Sequence, residues 1–220
     1  MRKYQYLLFD LDGTLTDSRE GIVNCVKYAL NLMQAPIPDE NILSLFIGPP
    51  LPDSFRQYCG FTREQSQQAV RLFRERYNRV GKFENAAAPG MPELCAKLKL
   101  SGFILALASS KLEHMCLDIC DYFNFTPSFK IITGSPPEEN CDKAQVIQEA
   151  MRRLNLHEAD KIHTLMIGDR KYDIEGARIC GLDCVGADFF HYAPPGELEQ
   201  ANPAAIVRDA AELENFLLNA

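Results

Sequence analysis

Two carboxylates stand two residues apart in Asp10-Leu11-Asp12-Gly13-Thr14, directly after the apolar run Tyr6-Leu7-Leu8-Phe9. A short apolar run closed by a turn signal predicts a buried strand, here with both acids at its mouth. Like charges that close push each other's pKa values apart, so one carboxyl stays ionised while the other can carry a proton. That division suits a nucleophile beside a general acid/base. A divalent cation would offset much of the repulsion. Gly13 lets the backbone turn sharply, and the amides of Gly13 and Thr14 are expected to be free to face an anion.

Three further pieces follow predicted strands, at the end where parallel α/β sheets bind ligands. Ser109-Ser110-Lys111 follows the strand at 103–108, and a hydroxyl with neighbouring amides suits a phosphoryl oxygen. Lys143 opens a helix after Asp142, where its ammonium would balance both phosphate and carboxylate charge. Gly168-Asp169-Arg170-Lys171-Tyr172-Asp173 follows the strand at 164–167. Its two outer acids lie four residues apart and share a face if a helix starts there. With Asp10 they make an oxygen-rich site of the sort Mg2+ prefers. Each piece alone is an ordinary turn, cap or solvated lysine. All four in order, at the same end of successive strands, point to one site.

The elements that must position them alternate. Strands are predicted at 6–9, 103–108, 130–133, 164–167, 183–186 and 205–207, with helical periodicity between most of them, which predicts an α/β fold with a mainly parallel sheet. Helix signals cover 92–100, 142–154 and 172–180. The stretch after Asp17 breaks the alternation: Ile22, Val26, Ala29, Leu30 and Met33 share one helical face, Asp39 caps a short helix, Pro52 suits a first turn, and Thr62 to Gln65 reads as a capping box. The expected organisation is an α/β domain of residues 1–16 plus 89–220, interrupted by a helical domain of residues 17–88. An insertion entering beside the paired carboxylates is suited to cover them and exclude water.

The 220 residues, 46% hydrophobic, suffice for one large core or a core plus a small second domain. No run approaches the roughly 18 apolar residues of a membrane span, and the N-terminus does not read as a signal peptide. A cytoplasmic protein with no membrane partner is expected. A net charge of −7 argues against a nucleic-acid polymer as partner. The eight cysteines form no Cys-x-x-Cys and are read as reduced packing thiols. A monomer is the simplest expectation, with a dimer as the alternative.

The chain resembles the haloacid dehalogenase superfamily over essentially its full length. Phe9-Asp10-Leu11-Asp12-Gly13-Thr14-Leu15 is similar to its first motif, Ala108-Ser109-Ser110-Lys111 to its second, Lys143 to its third, and Gly168-Asp169 through Asp173 to its fourth. The resemblance implies a Rossmann-like parallel core with a small all-helical cap inserted after the first strand. Phe46-Ile47-Gly48-Pro49-Pro50-Leu51 and Pro89-Gly90 carry a finer likeness to phosphoglycolate phosphatases and bacterial 5′-nucleotidases.

The implied activity is Mg2+-dependent hydrolysis of a small phosphorylated metabolite through an aspartyl-phosphate. Asp10 would be the nucleophile. Asp12 would protonate the leaving alcohol and then activate water, with its carbonyl on the metal. Asp169 would ligate the metal and Asp173 would ligate it or orient its ligands. Asp12, Gly13, Thr14, Ser109, Ser110 and Lys143 would hold the phosphoryl group, Ser110 standing where many relatives carry Asn. Alternatives are a phosphosugar mutase of the β-phosphoglucomutase type and a non-catalytic regulatory protein on this fold. Arg56, Arg74 and Arg76 are candidates for a substrate carboxylate, although a solvated face is the simpler reading of each. The segment 187–196, with Phe189, Phe190, His191 and Tyr192, reads as a loop packed on the core edge or as an aromatic rim.

Overall fold

A computed structural model describes residues 3–137 and 141–219. The chain forms two compact units, Met1–Thr16 with Ala87–Ala220, and Asp17–Ala86. Its strands, in chain order, are β1 (Tyr6–Phe9), β2 (Thr16–Asp17), β3 (Ala86–Ala87), β4 (Ile104–Leu112), β5 (Phe129–Ser135), β6 (Thr164–Gly168), β7 (Asp183–Ala187) and β8 (Ala205–Val207). The short β2 and β3 pair with each other where the chain passes between the units.

In the first unit six strands are ordered β5-β4-β1-β6-β7-β8, with parallel pairing throughout. The continuous apolar run of β1 reflects burial on both faces. Leu7 and Phe9 join Leu105, Leu107, Leu165 and Ile167 in one core layer. Leu8 points the other way, into a layer with Ala106, Ala108 and Met166. Alternate residues feeding opposite layers is the period-two signature of a strand. This α/β architecture is the one the alternation predicts.

Helices cover both faces. Apolar residues of α5 (Met91–Leu100), α6 (Glu113–Tyr122) and α10 (Ala210–Asn219) complete the first layer. Those of α7 (Lys143–Arg153), α8 (Lys171–Ile179) and α9 (Glu197–Ala201) complete the second. All eight cysteines are free thiols. Burial pushes Cys95, Cys116, Cys120 and Cys184 above the ordinary thiol range, which keeps them unreactive.

The second unit is helical: α1 (Arg19–Leu32), α2 (Glu40–Ser44), α3 (Leu51–Cys59) and α4 (Arg63–Arg79). Asp39 caps α2 by accepting the Ile42 N–H at 3.0 Å. Thr62 and Gln65 cap α4 reciprocally, at 3.2 and 2.9 Å. Ile22, Cys25, Val26, Ala29 and Leu30 bury one face of α1, and Ala69, Val70, Phe73 and Tyr77 one face of α4. No helix of the described residues is long and apolar enough to cross a membrane.

Candidate active site

The strand register brings the acids together. Phe9 of β1 pairs with Ile167 of β6, and the Asp10 N–H continues the ladder by donating to the Ile167 carbonyl at 2.9 Å. Asp10 and Asp169 therefore leave neighbouring parallel strands at the same end. Asp173 lies in the first turn of α8, where its Oδ2 accepts the Arg170 N–H at 3.0 Å. One carboxylate oxygen from each of Asp10, Asp169 and Asp173 falls within 4.8 Å of the other two.

Two glycines make this approach possible. A Cβ on Gly168 would lie 2.2 Å from Asp173 Cγ, and one on Gly13 would lie 2.2 Å from Asp169 Oδ2. Gly13 also has φ +82°, a conformation that other residues rarely adopt.

An ammonium contacts two of the three carboxylates. Lys143 begins α7 behind the reciprocal cap of Asp142 and Gln145. Its Nζ lies 2.8 Å from Asp10 Oδ1 and 2.8 Å from Asp173 Oδ1, and donates to the Ala108 carbonyl at 3.3 Å. Burial works against its charge, but Asp10 and Asp173 together hold it above the ordinary lysine value. Burial also raises Asp10, against the pull of Lys143, to about 6. Asp169 is pushed well above the usual carboxylate range, by burial first and by the charges of Asp173 and Asp10 next. It is 4% exposed, and its Oδ2 finds no hydrogen-bond partner among the described residues. An orphaned carboxylate oxygen, crowded acids and too little positive charge are the conditions a hard divalent cation relieves. The donor set fits Mg2+.

Asp12 lies outside this cluster. Its carboxylate is held by Lys111, whose Nζ reaches Oδ1 at 2.8 Å and Oδ2 at 2.7 Å. Sequence reading ends the strand at 108, yet β4 runs on to Leu112. Ala108 pairs with Thr133 and Leu112 with Ser135, so the β4 side carries extra residues and bulges. Ser135 Oγ donates to the Ser110 carbonyl at 2.9 Å. Glu113 Oε2 accepts the Gly134 N–H at 3.1 Å and lies 2.8 Å from Arg153 Nη1. These contacts fix the bulge that aims Lys111. As a site residue it is missing from the sequence reading, and the one signal for it was a cation directly after the Ser-Ser pair. Ser109 is buried beside Lys111, and Ser110 is exposed.

Gly13 and Thr14 differ from expectation. The Gly13 N–H donates to the Thr16 carbonyl at 2.8 Å and the Thr14 N–H to the Leu11 carbonyl at 3.3 Å. The turn itself consumes both amides that were expected to face an anion. In the helical unit, Arg76 is not a solvated side chain. It makes a two-pronged contact with Glu84, Nη1 to Oε2 at 2.6 Å and Nη2 to Oε1 at 2.8 Å. Phe189 and Phe190 pack against the sheet core and Tyr192 is buried, so the aromatic segment is largely a packed loop.

A family model described as haloacid dehalogenase-like hydrolase matches residues 7–187. A 5′-nucleotidase of Pseudomonas aeruginosa is 37% identical over 216 residues, covering 98% of this chain and 96% of its own. A phosphoglycolate phosphatase of Psychrobacter arcticus is 27% identical, covering 98% and 96%. The crystal structure of a predicted phosphatase from Clostridium acetobutylicum superposes with a TM-score of 0.90 at 37% identity, covering 99% of each chain.

Proposed function

Because the chain belongs to the haloacid dehalogenase-like hydrolases, we propose that it is a phosphatase that hydrolyses a small phosphate monoester through an aspartyl-phosphate on Asp10. The observation that carries this reading is the convergence of Asp10, Asp169 and Asp173 on one point, with the Lys143 ammonium in contact with Asp10 and Asp173. Asp10, Asp169 and Asp173 would hold Mg2+, with the Asp12 carbonyl as a further ligand, and the ion would neutralise charge on the transferring phosphoryl group.

The chain's own residues supply the rest. A carboxylate oxygen of Asp10, which Lys143 orients, attacks phosphorus as the ester oxygen departs. Asp12, two residues on and steadied by Lys111, delivers a proton to that leaving oxygen. It then takes a proton from the water that attacks the aspartyl-phosphate, which releases inorganic phosphate and restores Asp10. Ser109 and Lys143 line the phosphoryl oxygens. The buried walls of the site make each of these charges count for more than in water. The helical unit, Asp17–Ala86, enters the chain five residues after Asp12 and is assigned the choice of leaving group.

We place nucleoside 5′-monophosphates first among substrates and phosphoglycolate second. The relative of higher identity supports this order. So does the neutralisation of Arg76 by Glu84, which removes one candidate for a substrate carboxylate. The test is a kinetic panel of nucleoside 5′-monophosphates, phosphoglycolate and hexose phosphates with Mg2+, read as inorganic phosphate released. Release from a nucleotide or phosphoglycolate supports the reading. Isomerised sugar phosphate without free phosphate makes the protein a mutase, and silence across the panel removes the catalytic reading.

A further inference from the structure

The turn that presents Asp169 and Asp173 also holds a basic residue that points elsewhere. Arg170 is 5% exposed. Its Nε donates to Glu197 Oε1 at 2.7 Å and its Nη2 to Glu197 Oε2 at 3.2 Å, a forked pair. Glu197 Oε1 also accepts the Lys171 N–H at 3.2 Å. One carboxylate therefore grips the turn twice, through a side chain and through the backbone of the next residue. Glu197 stands at the start of α9, beyond β7 and the loop that follows it. Burial opposes ionisation of Glu197, yet the guanidinium outweighs it and holds the carboxyl below its ordinary value.

The grip bears directly on the acids. The Arg170 N–H donates to Asp173 Oδ2, so the residue that Glu197 clamps by its side chain orients Asp173 by its backbone. Asp169 precedes Arg170 in the chain. The like charges of the two buried acids work against this turn, Lys143 holds Asp173 from one side, and the clamp on Arg170 holds the turn from the other.

We propose that Glu197, acting through Arg170, is a positioning residue for the metal site, holding the 169–173 turn in the conformation that presents both acids to a divalent cation. This rests on the reading of Asp10, Asp169 and Asp173 as metal ligands. Outer partners of this kind are typically worth 10–100-fold in metal affinity.

The test is Mn2+ binding to the full chain, followed by electron paramagnetic resonance of the free ion, well below the melting temperature of each variant. Glu197→Gln is expected to weaken binding by about 10-fold or more. Because that change also leaves Arg170 with unbalanced charge, the paired variant Arg170→Met with Glu197→Leu is measured beside it. The pair removes one charge of each sign, and an apolar pair of similar volume is often tolerated in place of a buried ion pair. It is expected to fold and still to bind at least about 10-fold more weakly. Weakening in Glu197→Gln with wild-type affinity in the paired variant shows a charge effect and overturns positioning. Wild-type affinity in both overturns it as well. No Mn2+ binding by the wild type itself overturns the metal-site reading, and the inference with it.

Discussion

Two of the charge clusters in this molecule, one from each unit, are built on opposite plans. In the helical unit Arg76 and Glu84 match one cation to one anion through two hydrogen bonds, and Arg76 adds a contact to Cys25 Sγ at 3.3 Å. In the α/β unit Asp10, Asp169 and Asp173 crowd around Lys143, and an oxygen of Asp169 is left over. Burying charge is costly, so a matched pair needs no explanation beyond the fold. An unmatched cluster needs a second one, and the proposed exchange of cations and phosphoryl groups would provide it. Imbalance, more than burial or acidity alone, marks where chemistry is done.

Removing one charge from each cluster should therefore have opposite consequences. Asp10→Asn is expected to lower turnover by at least about 10³-fold. The fold should survive, because Lys143 keeps its contact with Asp173 and one repelling carboxylate is gone. Initial rates and a thermal melt on the same sample check both halves. A variant keeping more than about a tenth of the wild-type rate would end the nucleophile assignment.

Lys111→Met tests the matched pair that sits beside the unmatched cluster. General acid–base catalysis is worth about 10²–10⁴-fold, and losing the contact that steadies the acid should forfeit part of it, about 30-fold in kcat. The same change made in an Asp12→Asn background should cost little more, since Lys111 would act through a carboxyl already removed. Additive losses in that double-mutant cycle would give Lys111 a role of its own on the substrate.

Asp10 and Asp169 were legible because each follows an apolar run that alternates between two core layers, and a strand that is buried on both faces announces its own end; Asp173 was legible by its four-residue spacing from Asp169. Lys143 was legible because Asp142 marks a helix start. Lys111 was not, because it serves the site only through a bulge between β4 and β5. Polar Ser109-Ser110-Lys111 reads locally as loop, and the pairing of Leu112 with Ser135 is a long-range fact. The lost amides of Gly13 and Thr14 have the same origin: a turn tight enough to present two acids closes on its own N–H groups. Glu197 is one of two acids in a short helix, and nothing in its neighbourhood singles it out. Local pattern reveals residues that end an element, while residues that reach across the fold to hold another side chain leave no periodic trace.

Acid should disable the unmatched cluster before any ordinary carboxylate titrates. Burial raises Asp10 from 3.8 to about 6 and pushes Asp169 well above the carboxylate range, so by the time the pH has fallen through about 6 protons have returned to both, and the proposed nucleophile and metal ligands are lost. At limiting Mg2+, kcat/KM is expected to fall about tenfold per unit below that point, because metal and proton compete for the same oxygens. Raising Mg2+ should shift the midpoint downward. A profile flat to pH 5 at limiting Mg2+ would mean the crowding is relieved by something other than a cation.

The smallest effect on rate belongs to the matched pair. Arg76→Met strips Glu84 of its two-pronged partner and should cost about 1–3 kcal/mol of stability, the usual worth of hydrogen bonds between charged groups with limited solvent access. Urea unfolding measures that loss. Turnover per folded molecule should stay at the wild-type value, because a guanidinium already neutralised by Glu84 has little charge to offer a substrate. A tenfold rise in KM for phosphoglycolate, with nucleotide hydrolysis untouched, would return Arg76 to carboxylate recognition and reverse the proposed order of substrates. It would also show that a balanced pair can hide a binding residue, which is the one outcome that would separate charge balance from structural duty.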